Sequence, residues 1–338
     1  MLYDLREKTL NSLVFYFKRL KFKPRNSHIN LYFSCGFHGK SGGPIAIAST
    51  ANGLANIFSV NFKIHPGSFY CRLLSHTVRF TQELKLDNDL YFFDLSANID
   101  ELKKVKAAGK PTILTIHGLR TALHQLNTDH IDNMLAIADW VHFVGQVQQS
   151  SYQLPNEKFF IIPNSAQTVN KSQLTNNIGV VGNLDEPRKN AALSVEAGLS
   201  SNCDQIHLWS TSRQFSGDPR VIHHQWENNK EKIFNSFDVL VFLSQQETFG
   251  LVVAEALSAG IPCVLSSIEA FMPFKACPGV ILIEDNQIND VTAAINRFLI
   301  EKESLKPLIQ AFFNSHFSRE IIEARWADKV AELTSLKK

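Results

Sequence analysis

Short apolar runs alternate with helical stretches along most of the chain, from about residue 29 to residue 300. Most of the runs are continuously apolar, as strands are when both faces of a parallel sheet are buried. They predict one set of strands at residues 29–34, 54–60, 90–93, 112–116, 141–144 and 159–162, and a second set at 178–181, 205–209, 239–243, 263–266 and 280–283. Strands that alternate with helices on this scale predict doubly wound α/β domains.

A polar segment separates the two sets of predicted strands. It begins at the turn-forming pair Pro163-Asn164 and continues through residues 167–177, a composition typical of a linker. A chain of 338 residues also exceeds what one hydrophobic core usually organises. We therefore predict an N-terminal domain at residues 1–165, a C-terminal domain at 166–315, and a final segment at 316–338 whose pattern is helical.

The composition is that of a globular protein and argues against several other classes. Hydrophobic residues make up 44% of the chain and its net charge is +2, which favours neither long disorder nor nucleic-acid binding. The five cysteines are widely spaced and form no C-x-x-C pair, so we expect a reducing compartment without a disulfide framework or zinc site. No apolar run near the N-terminus is long enough to span a bilayer and no cleavage site follows one, so we expect a cytoplasmic protein.

Positive charge is concentrated in residues 1–27, which hold seven Lys or Arg against Asp4 and Glu7. The apolar residues of this segment recur at helical spacing and form a stripe of Leu10, Leu13, Val14, Phe17 and Leu20. Two interpretations stay open. The segment is either an interfacial helix near anionic lipid at the inner membrane surface, or a helix packed on the protein body with a solvated flank.

Residues 237–267 carry the clearest candidate chemistry. A buried strand at 239–243 leads into a loop, Gly250 permits a tight approach, and a helix at 251–259 ends at Gly260 and Pro262. Ligands of open α/β sheets bind at the carboxyl ends of strands, and helix N-termini attract phosphate. The residues expected to face a diphosphate here are Thr248, Phe249, Gly250 and Leu251.

Glu255 lies on that helix, which is apolar on every side and is therefore expected to be buried. A lone carboxylate in such a place costs several kcal/mol, on the order of the penalty for an unpaired ion, unless a donor satisfies it. Sugar hydroxyls are suitable donors. The protein's own backbone or an arginine would serve as well, and the sequence leaves both possibilities open.

Glu247 precedes Glu255 by eight residues, and the whole stretch resembles the retaining family-4 glycosyltransferases. Their signature is E-x7-E followed by a helix end rich in Ala and Gly, here Glu247-Thr-Phe-Gly-Leu-Val-Val-Ala-Glu255-Ala-Leu-Ser-Ala-Gly-Ile-Pro. The resemblance implies an α/β protein of the GT-B fold, with two Rossmann-like parallel-sheet domains facing across a cleft. It also implies that the final helix crosses back to the N-terminal domain. In that family the first Glu faces the donor sugar and the second binds the ribose hydroxyls.

A second match to this family covers residues 178–190, where a strand and Gly182 precede a helix entered at Pro187. Arg188 and Lys189 are predicted in the first helical turn, where cations oppose the helix dipole and an anion would balance them. The family has G-R-x-x-x-x-K here, with Arg and Lys on the donor diphosphate. Lys189 matches the Lys, Asn183 replaces the Arg, and Arg188 is the candidate to compensate. A solvated basic helix end is the alternative.

The resemblance also assigns residues of the N-terminal domain to the donor site. The strand at 112–116 ends at His117, and the family places a His at this position against the donor sugar. Gly42 and Gly43 resemble the family's loop after the first strand, whose backbone approaches the donor phosphate. A structural histidine and an ordinary turn are the alternatives. Asp87-Asn88-Asp89 matches a D-x-D metal motif, but we interpret it as a turn before a strand.

The family resemblance predicts a retaining glycosyltransferase that uses a UDP- or GDP-sugar and a glycan or lipid-linked acceptor, without metal or other cofactor. Bacterial cell-surface polysaccharide or lipopolysaccharide synthesis is the expected pathway. His117, Glu247 and Lys189 are the predicted catalytic residues, with Lys189 stabilising the leaving diphosphate. Two alternatives stay open: a nucleotide-sugar epimerase or hydrolase of the same architecture, and a catalytically silent protein that binds another transferase.

Overall fold

The computed structural model describes residues 2–23, 27–36, 42–120, 128–210, 217–285 and 287–336. The chain divides into two compact units. The first unit comprises Met1–Ser165 together with Ile322–Lys338, and the second comprises Ala166–Ile321. Each unit has its own parallel sheet with helices packed against it.

The sheet of the first unit has the strand order β3-β2-β1-β4-β5-β6-β7 within the described ranges, and every neighbouring pair in it is parallel. Its central strands β1 and β4 are almost entirely buried, which explains their continuously apolar sequences. The strands are β1 Asn30–Ser34, β2 Ser59–Lys63, β3 Arg79–Thr81, β4 Leu90–Asp94, β5 Thr112–Ile116, β6 Trp140–Phe143 and β7 Phe159–Ile161.

One prediction for this sheet is wrong, and one strand was not predicted. The apolar run at 54–60 is not one strand, because Leu54 ends a helix and β2 begins only at Ser59. β2 is half-buried, and buried and more exposed positions alternate along it. Its polar residues interrupt the apolar pattern, so the predicted strand ended at residue 60, before the true end at Lys63. The three-residue edge strand β3 was missed because so short a segment carries no readable periodicity.

Seven helices cover the first unit, counted over the residues that the structure describes. In the last of them, α11, Trp326 packs against the rings of Phe92, His142 and Phe160 on strands β4, β6 and β7. The C-terminal helix is thus part of the first unit's core. The helices are α1 Leu2–Leu20, α2 Gly42–Leu54, α3 Tyr70–Leu73, α4 Ile99–Ala107, α5 Thr128–Ile137, α6 Gln146–Tyr152 and α11 Arg319–Ser335.

His142 makes the stability of the first unit depend on pH. It is 2% exposed, its Nε2 donates to the Ile162 carbonyl at 2.9 Å, and burial lowers its pKa to about 3 from an ordinary value of 6.5. The unfolded chain therefore takes up this proton at a higher pH than the folded chain does. Stability should be fully present above pH 6.5 and fall as pH drops towards 3, by up to roughly 1.4 kcal/mol per pH unit.

Urea unfolding of wild type and His142→Gln at several pH values, followed by circular dichroism, measures this contribution. In the variant, the free energy of unfolding should fall less steeply as pH drops below 6.5, whatever its absolute value. Some of the dependence should remain, since other buried histidines remain. The matched control is His76→Gln, because His76 is exposed and folding does not desolvate it. Equal slopes for wild type and His142→Gln would contradict the prediction.

The sheet of the second unit has the order β10-β9-β8-β11-β12-β13, again with parallel neighbours. The predicted α/β class with two parallel-sheet domains is therefore confirmed. Strand β10 was not predicted, because its sequence Val-Ile-His-His is half polar. The strands are β8 Ile178–Val181, β9 Ile206–Trp209, β10 Val221–His224, β11 Val239–Phe242, β12 Cys263–Ser266 and β13 Val280–Ile283; the helices are α7 Ala191–Leu199, α8 Lys230–Phe234, α9 Leu251–Ser258 and α10 Ile288–His316.

The polar segment that follows residue 166 is bound to the second unit. Lys171 forms a buried ion pair with Asp238 at 2.9 Å, and the same carboxylate accepts the Thr175 backbone N–H at 2.7 Å. Lys302 of α10 contacts the other side of Asp238 at 2.8 Å. The two cations and the backbone donor stabilise the buried carboxylate and hold this segment against the second unit.

Candidate functional site

The carboxyl end of strand β11 leads into a tight turn before α9. Gly250 precedes the helix with φ 94°, and a Cβ atom there would lie 2.8 Å from the Phe271 ring. Only glycine fits this turn without strain. Phe249 is 3% exposed and packs on Phe274 and Phe317, so its ring belongs to the core and only its backbone is available to a ligand. The predicted helix at 251–259 is observed as α9, Leu251–Ser258.

Lys189, Arg188 and Glu247 meet beside this turn. The Lys189 ammonium contacts Glu247 Oε1 and lies 4.8 Å from the centre of the Phe242 ring. Arg188 reaches the same carboxylate oxygen at 3.5 Å and donates to the Gln246 carbonyl at 2.7 Å. The Ser244 hydroxyl donates to Glu247 at 3.0 Å. The structure therefore brings three predicted site residues into one half-buried polar cluster.

The sequence predicted Arg188 and Lys189 in the first turn of a helix, but they do not lie in an α-helix. They belong to a single 3-10 turn, Pro187–Lys189, and Asn190 with φ 52° separates that turn from α7, which begins at Ala191. A left-handed residue interrupts the α-helical run, so the dipole argument made for these cations does not apply. Carboxylates compensate their charge instead.

Asn183 occupies the position where the resembling family has an arginine. Its amide donates to Glu186 at 2.9 Å, and Glu186 also pairs with Arg188. The cluster thus contains two cations and two carboxylates. A diphosphate bound here would have to share or replace carboxylate partners of Arg188 and Lys189.

Glu255 is buried, as its apolar helix predicted, but it has a cationic partner that sequence reasoning missed. Lys230, at the start of α8, places its ammonium 2.8 Å from Glu255 Oε2. Burial raises the pKa of Glu255, and the adjacent Lys230 opposes that rise. Lys230 also lies 5.7 Å from the ring centre of Trp226, which is 43% exposed. No sequence signal linked Lys230 to Glu255, because the two lie on different elements 25 residues apart.

Two predicted donor-site positions of the first unit lie together. A Cβ atom at Gly43 would lie 3.7 Å from the Cβ of His117, so the start of α2 is packed against the carboxyl end of β5. Gly42 and Gly43 were predicted in a loop, but they form the start of α2. His117 is partly exposed, yet the surrounding protein desolvates its ring and lowers its pKa to about 4, which makes it neutral at pH 7.

The first unit also contains a cavity of about 350 Å³ at the carboxyl ends of β1, β2 and β4. Hydroxyl, amide and imidazole side chains line it, among them Ser34, His65, Ser68 and Asn98. Lys63 faces it too, but its charge is paired with Glu101 of α4. The polar side chains of this mixed lining can form hydrogen bonds with the hydroxyl groups of a ligand.

The D-x-D match lies at the opposite, amino edge of the same sheet. Asp89 accepts the Asn30 backbone N–H at 2.7 Å, and Asn88 accepts from Asn61 at 2.7 Å, so both side chains fasten strand ends. Among the described residues, no group of three or more His, Cys, Asp or Glu side chains is arranged to hold a metal ion. In the same ranges, no helix is long and apolar enough to cross a membrane.

Comparison with known proteins connects this site to a family. Residues 145–313, half of the chain, match the family model described as glycosyl transferases group 1. No curated protein matches the sequence. The match contains the cluster around Lys189 and Glu247 as well as Glu255 and Lys230.

Many solved structures resemble the chain at low identity. HepE from Anabaena in complex with UDP and glucose superposes with a TM-score of 0.72 at 14% identity, covering 90% of this chain and all of that one. Sucrose-phosphate synthase from Thermosynechococcus elongatus gives 0.72 at 14% identity, with 91% and 100% covered. A glycosyltransferase from Rickettsia africae gives 0.70 at 11%, with 91% and 99% covered. These likenesses establish the GT-B fold.

Proposed function

The chain belongs to the group 1 glycosyltransferases, and we propose that it transfers a sugar from a UDP- or GDP-sugar to a glycan or lipid-linked acceptor with retention of configuration. The observation that carries this proposal is the Lys189–Glu247 pair at the carboxyl end of β11, beside the Gly250 turn into α9. Lys189 is 11% exposed and Glu247 is 15% exposed, so both charges act where water screens them little. The nucleotide and sugar bound by HepE, with the same fold, support a donor of this class.

In this proposal the diphosphate of the donor binds beside Lys189 and Arg188, with the backbone around Gly250 as further donors. Lys189 stabilises the negative charge that develops on the leaving diphosphate, and that diphosphate accepts the proton of the acceptor hydroxyl. Glu247 orients the donor sugar and Glu255 accepts hydrogen bonds from the ribose. His117 of the first unit is kept as a proposed catalytic residue; being neutral at pH 7, it can donate or accept a hydrogen bond without adding charge.

The acceptor side of the proposal rests on the first unit. We assign its cavity of about 350 Å³ to one sugar unit of the acceptor, because hydroxyl and amide side chains in the lining can hydrogen-bond a sugar. Lys63 adds no net charge there, since it is paired with Glu101. We include in the proposal synthesis of a bacterial cell-surface polysaccharide or lipopolysaccharide, at the cytoplasmic face of the membrane. A lipid-linked acceptor would be located there.

A thermal-shift screen against UDP, GDP, ADP, CDP and their common sugars tests the donor class. One nucleotide family should raise the melting temperature, since a ligand at a hundredfold excess over its dissociation constant stabilises the folded state by about 2.7 kcal/mol. The matched control is the corresponding nucleoside, which lacks the diphosphate that Lys189 would contact. Absence of any shift at millimolar nucleotide would contradict the proposal and favour a silent partner of another transferase.

The donor identified in this way then distinguishes transfer from the other reactions of the fold. Incubation with donor alone should release nucleoside diphosphate slowly, and adding a pool of glycan or lipid-linked acceptors should accelerate release. Conversion of the donor sugar to an epimer, or full-speed hydrolysis without acceptor, would instead assign the chain to an epimerase or hydrolase. The anomeric configuration of the product, read by NMR, decides whether configuration is retained.

A further inference from the structure

Helix α1 carries apolar residues on two faces, and only one of them is covered. The inner face is bound to the first unit: Phe15 is fully buried and stacks on Phe80, and Asn11 donates to the Gly67 carbonyl at 3.1 Å. Lys18 donates to carbonyls of the α3 segment, at 3.3 Å in the case of Arg72. These contacts fix the orientation of the helix, so the residues on its other face are held outward.

The outer face of α1 exposes five large apolar side chains at helical spacing. They are Leu10, Leu13, Tyr16, Phe17 and Leu20, which are 50%, 63%, 57%, 56% and 87% exposed. A solvated helix face is normally polar, and single apolar residues on a surface need no explanation, but a contiguous stripe of this size indicates a binding surface. We call this stripe the outer face.

Basic residues border the outer face. Arg19, Lys21 and Lys23 lie at the end of α1 or directly after it and are exposed. Arg19 also lines a cavity of about 500 Å³ beside strand β3, together with Arg79, Lys85 and the ring of Phe22. Arg79 lies 5.0 Å from the centre of that ring, which holds its guanidinium over the cavity. One acidic side chain, Glu83, shares the lining.

We infer that the outer face and this basic cavity together form a docking surface for an anionic phospholipid bilayer. The apolar side chains enter the boundary between headgroups and acyl chains, with Tyr16 and Phe17 at the level where aromatic rings are favoured. Arg19, Arg79 and Lys85 then contact lipid phosphates. Both sequence interpretations of this segment are combined here, because the helix packs on the body with one face and presents the other.

Charge distinguishes a bilayer from a second copy of the chain as the occupant. A symmetric dimer through the outer face would place this patch against itself, so the basic residues around Arg19 would meet their own copies. Like charges brought together oppose association, whereas anionic headgroups complement them. The inference deepens the membrane location included in the proposed function by naming the surface that binds the bilayer. It concerns the first unit alone, so vesicle binding is measured separately from sugar transfer.

Sedimentation with vesicles tests the docking surface on the full chain. Wild type should bind vesicles of phosphatidylcholine mixed with phosphatidylglycerol. Its affinity for vesicles of phosphatidylcholine alone should be at least about tenfold lower, and raising the salt concentration should release it from the mixed vesicles. Leu13→Gln/Leu20→Gln should lower binding about tenfold or more, since both side chains are exposed and their loss should not affect folding. The matched control is Leu308→Gln/Ile300→Gln on α10, two leucine-sized residues of 52% and 84% exposure, which should change nothing.

A charge variant tests the basic cavity separately. Arg19→Gln/Arg79→Gln should weaken binding about twenty-five-fold, because each basic residue near an anionic surface contributes about fivefold. Its control, Lys103→Gln/Lys104→Gln on α4, removes the same charge elsewhere and should bind as wild type does. Nucleoside diphosphate affinity should be unchanged in all four variants, which separates this test from that of the proposed function.

Four outcomes would overturn the inference. Three concern vesicles: absence of binding by wild type, equal binding with and without phosphatidylglycerol, and equal loss in the outer-face variant and its control. A fourth is self-association, seen by analytical ultracentrifugation, that Leu13→Gln/Leu20→Gln abolishes while vesicles are not bound. That result would assign the outer face to a second copy.

Discussion

Replacing Lys189 by methionine should lower kcat for sugar transfer by about two to three orders of magnitude. Removing one preorganised donor to a developing oxyanion typically has an effect of this size. Methionine keeps most of the aliphatic length over the Phe242 ring and removes only the charge. The rate is measured as release of nucleoside diphosphate from the donor that thermal shift identifies. Arg188→Met, at a more exposed cation, should cost only about tenfold.

A loss of activity in Lys189→Met could also arise because Glu247 loses its ion-pair partner, and a further variant separates the two causes. The comparison is with Glu247→Gln alone, because Glu247 has a role of its own in the proposal. If Lys189 only neutralises this carboxylate, Lys189→Met/Glu247→Gln should be as active and as stable as Glu247→Gln. If Lys189 stabilises the diphosphate, the double variant should be less active than Glu247→Gln by about two to three orders of magnitude. A double variant as active as Glu247→Gln would refute the catalytic role.

Much of the fold could be predicted because the central strands of both sheets are buried on two faces. Strands such as β5 and β12 have the predicted bounds, since an uninterrupted apolar run bounded by polar residues leaves little choice. The errors occurred where burial is partial. β2 alternates in exposure, β10 is half polar, and β3 has three residues. The GT-B fold and the glycosyltransferase class are confirmed by the family match and the structural neighbours.

Only those features of the candidate site that depend on neighbouring residues in the sequence could be predicted. The turn at Gly250 and the buried position of Glu255 follow from one strand, one glycine and one apolar helix. The partners of the charged site residues come from distant elements: Lys230 of α8 pairs with Glu255, and Lys189 pairs with Glu247. Charge pairing across elements depends on tertiary packing, so no periodicity in the sequence indicates it. The roles of the site residues therefore remain predictions.

Glu255→Gln should weaken binding of the nucleoside diphosphate about tenfold to a hundredfold. A hydrogen bond to a charged group contributes about 1.5–3 kcal/mol, and glutamine keeps the shape of the side chain while losing the charge. Glu255 is 7% exposed and Lys230 occupies Oε2, so a ribose hydroxyl would donate to a carboxylate that water reaches poorly. Calorimetric titration of wild type and variant gives the two dissociation constants.

The 2′-deoxy nucleotide shows whether Glu255 contacts the ribose or only holds Lys230. Wild type should prefer the ribonucleotide, because the deoxy analogue leaves the buried carboxylate without one of its donors. If Glu255 binds the ribose, Glu255→Gln should bind both nucleotides with similar, weak affinity, and the preference should disappear. If the carboxylate only pairs with Lys230, the variant should lose affinity for both nucleotides equally and keep the wild-type preference. Lys230→Met completes the comparison: since the carboxylate stays in place, the preference should persist there even as overall affinity falls.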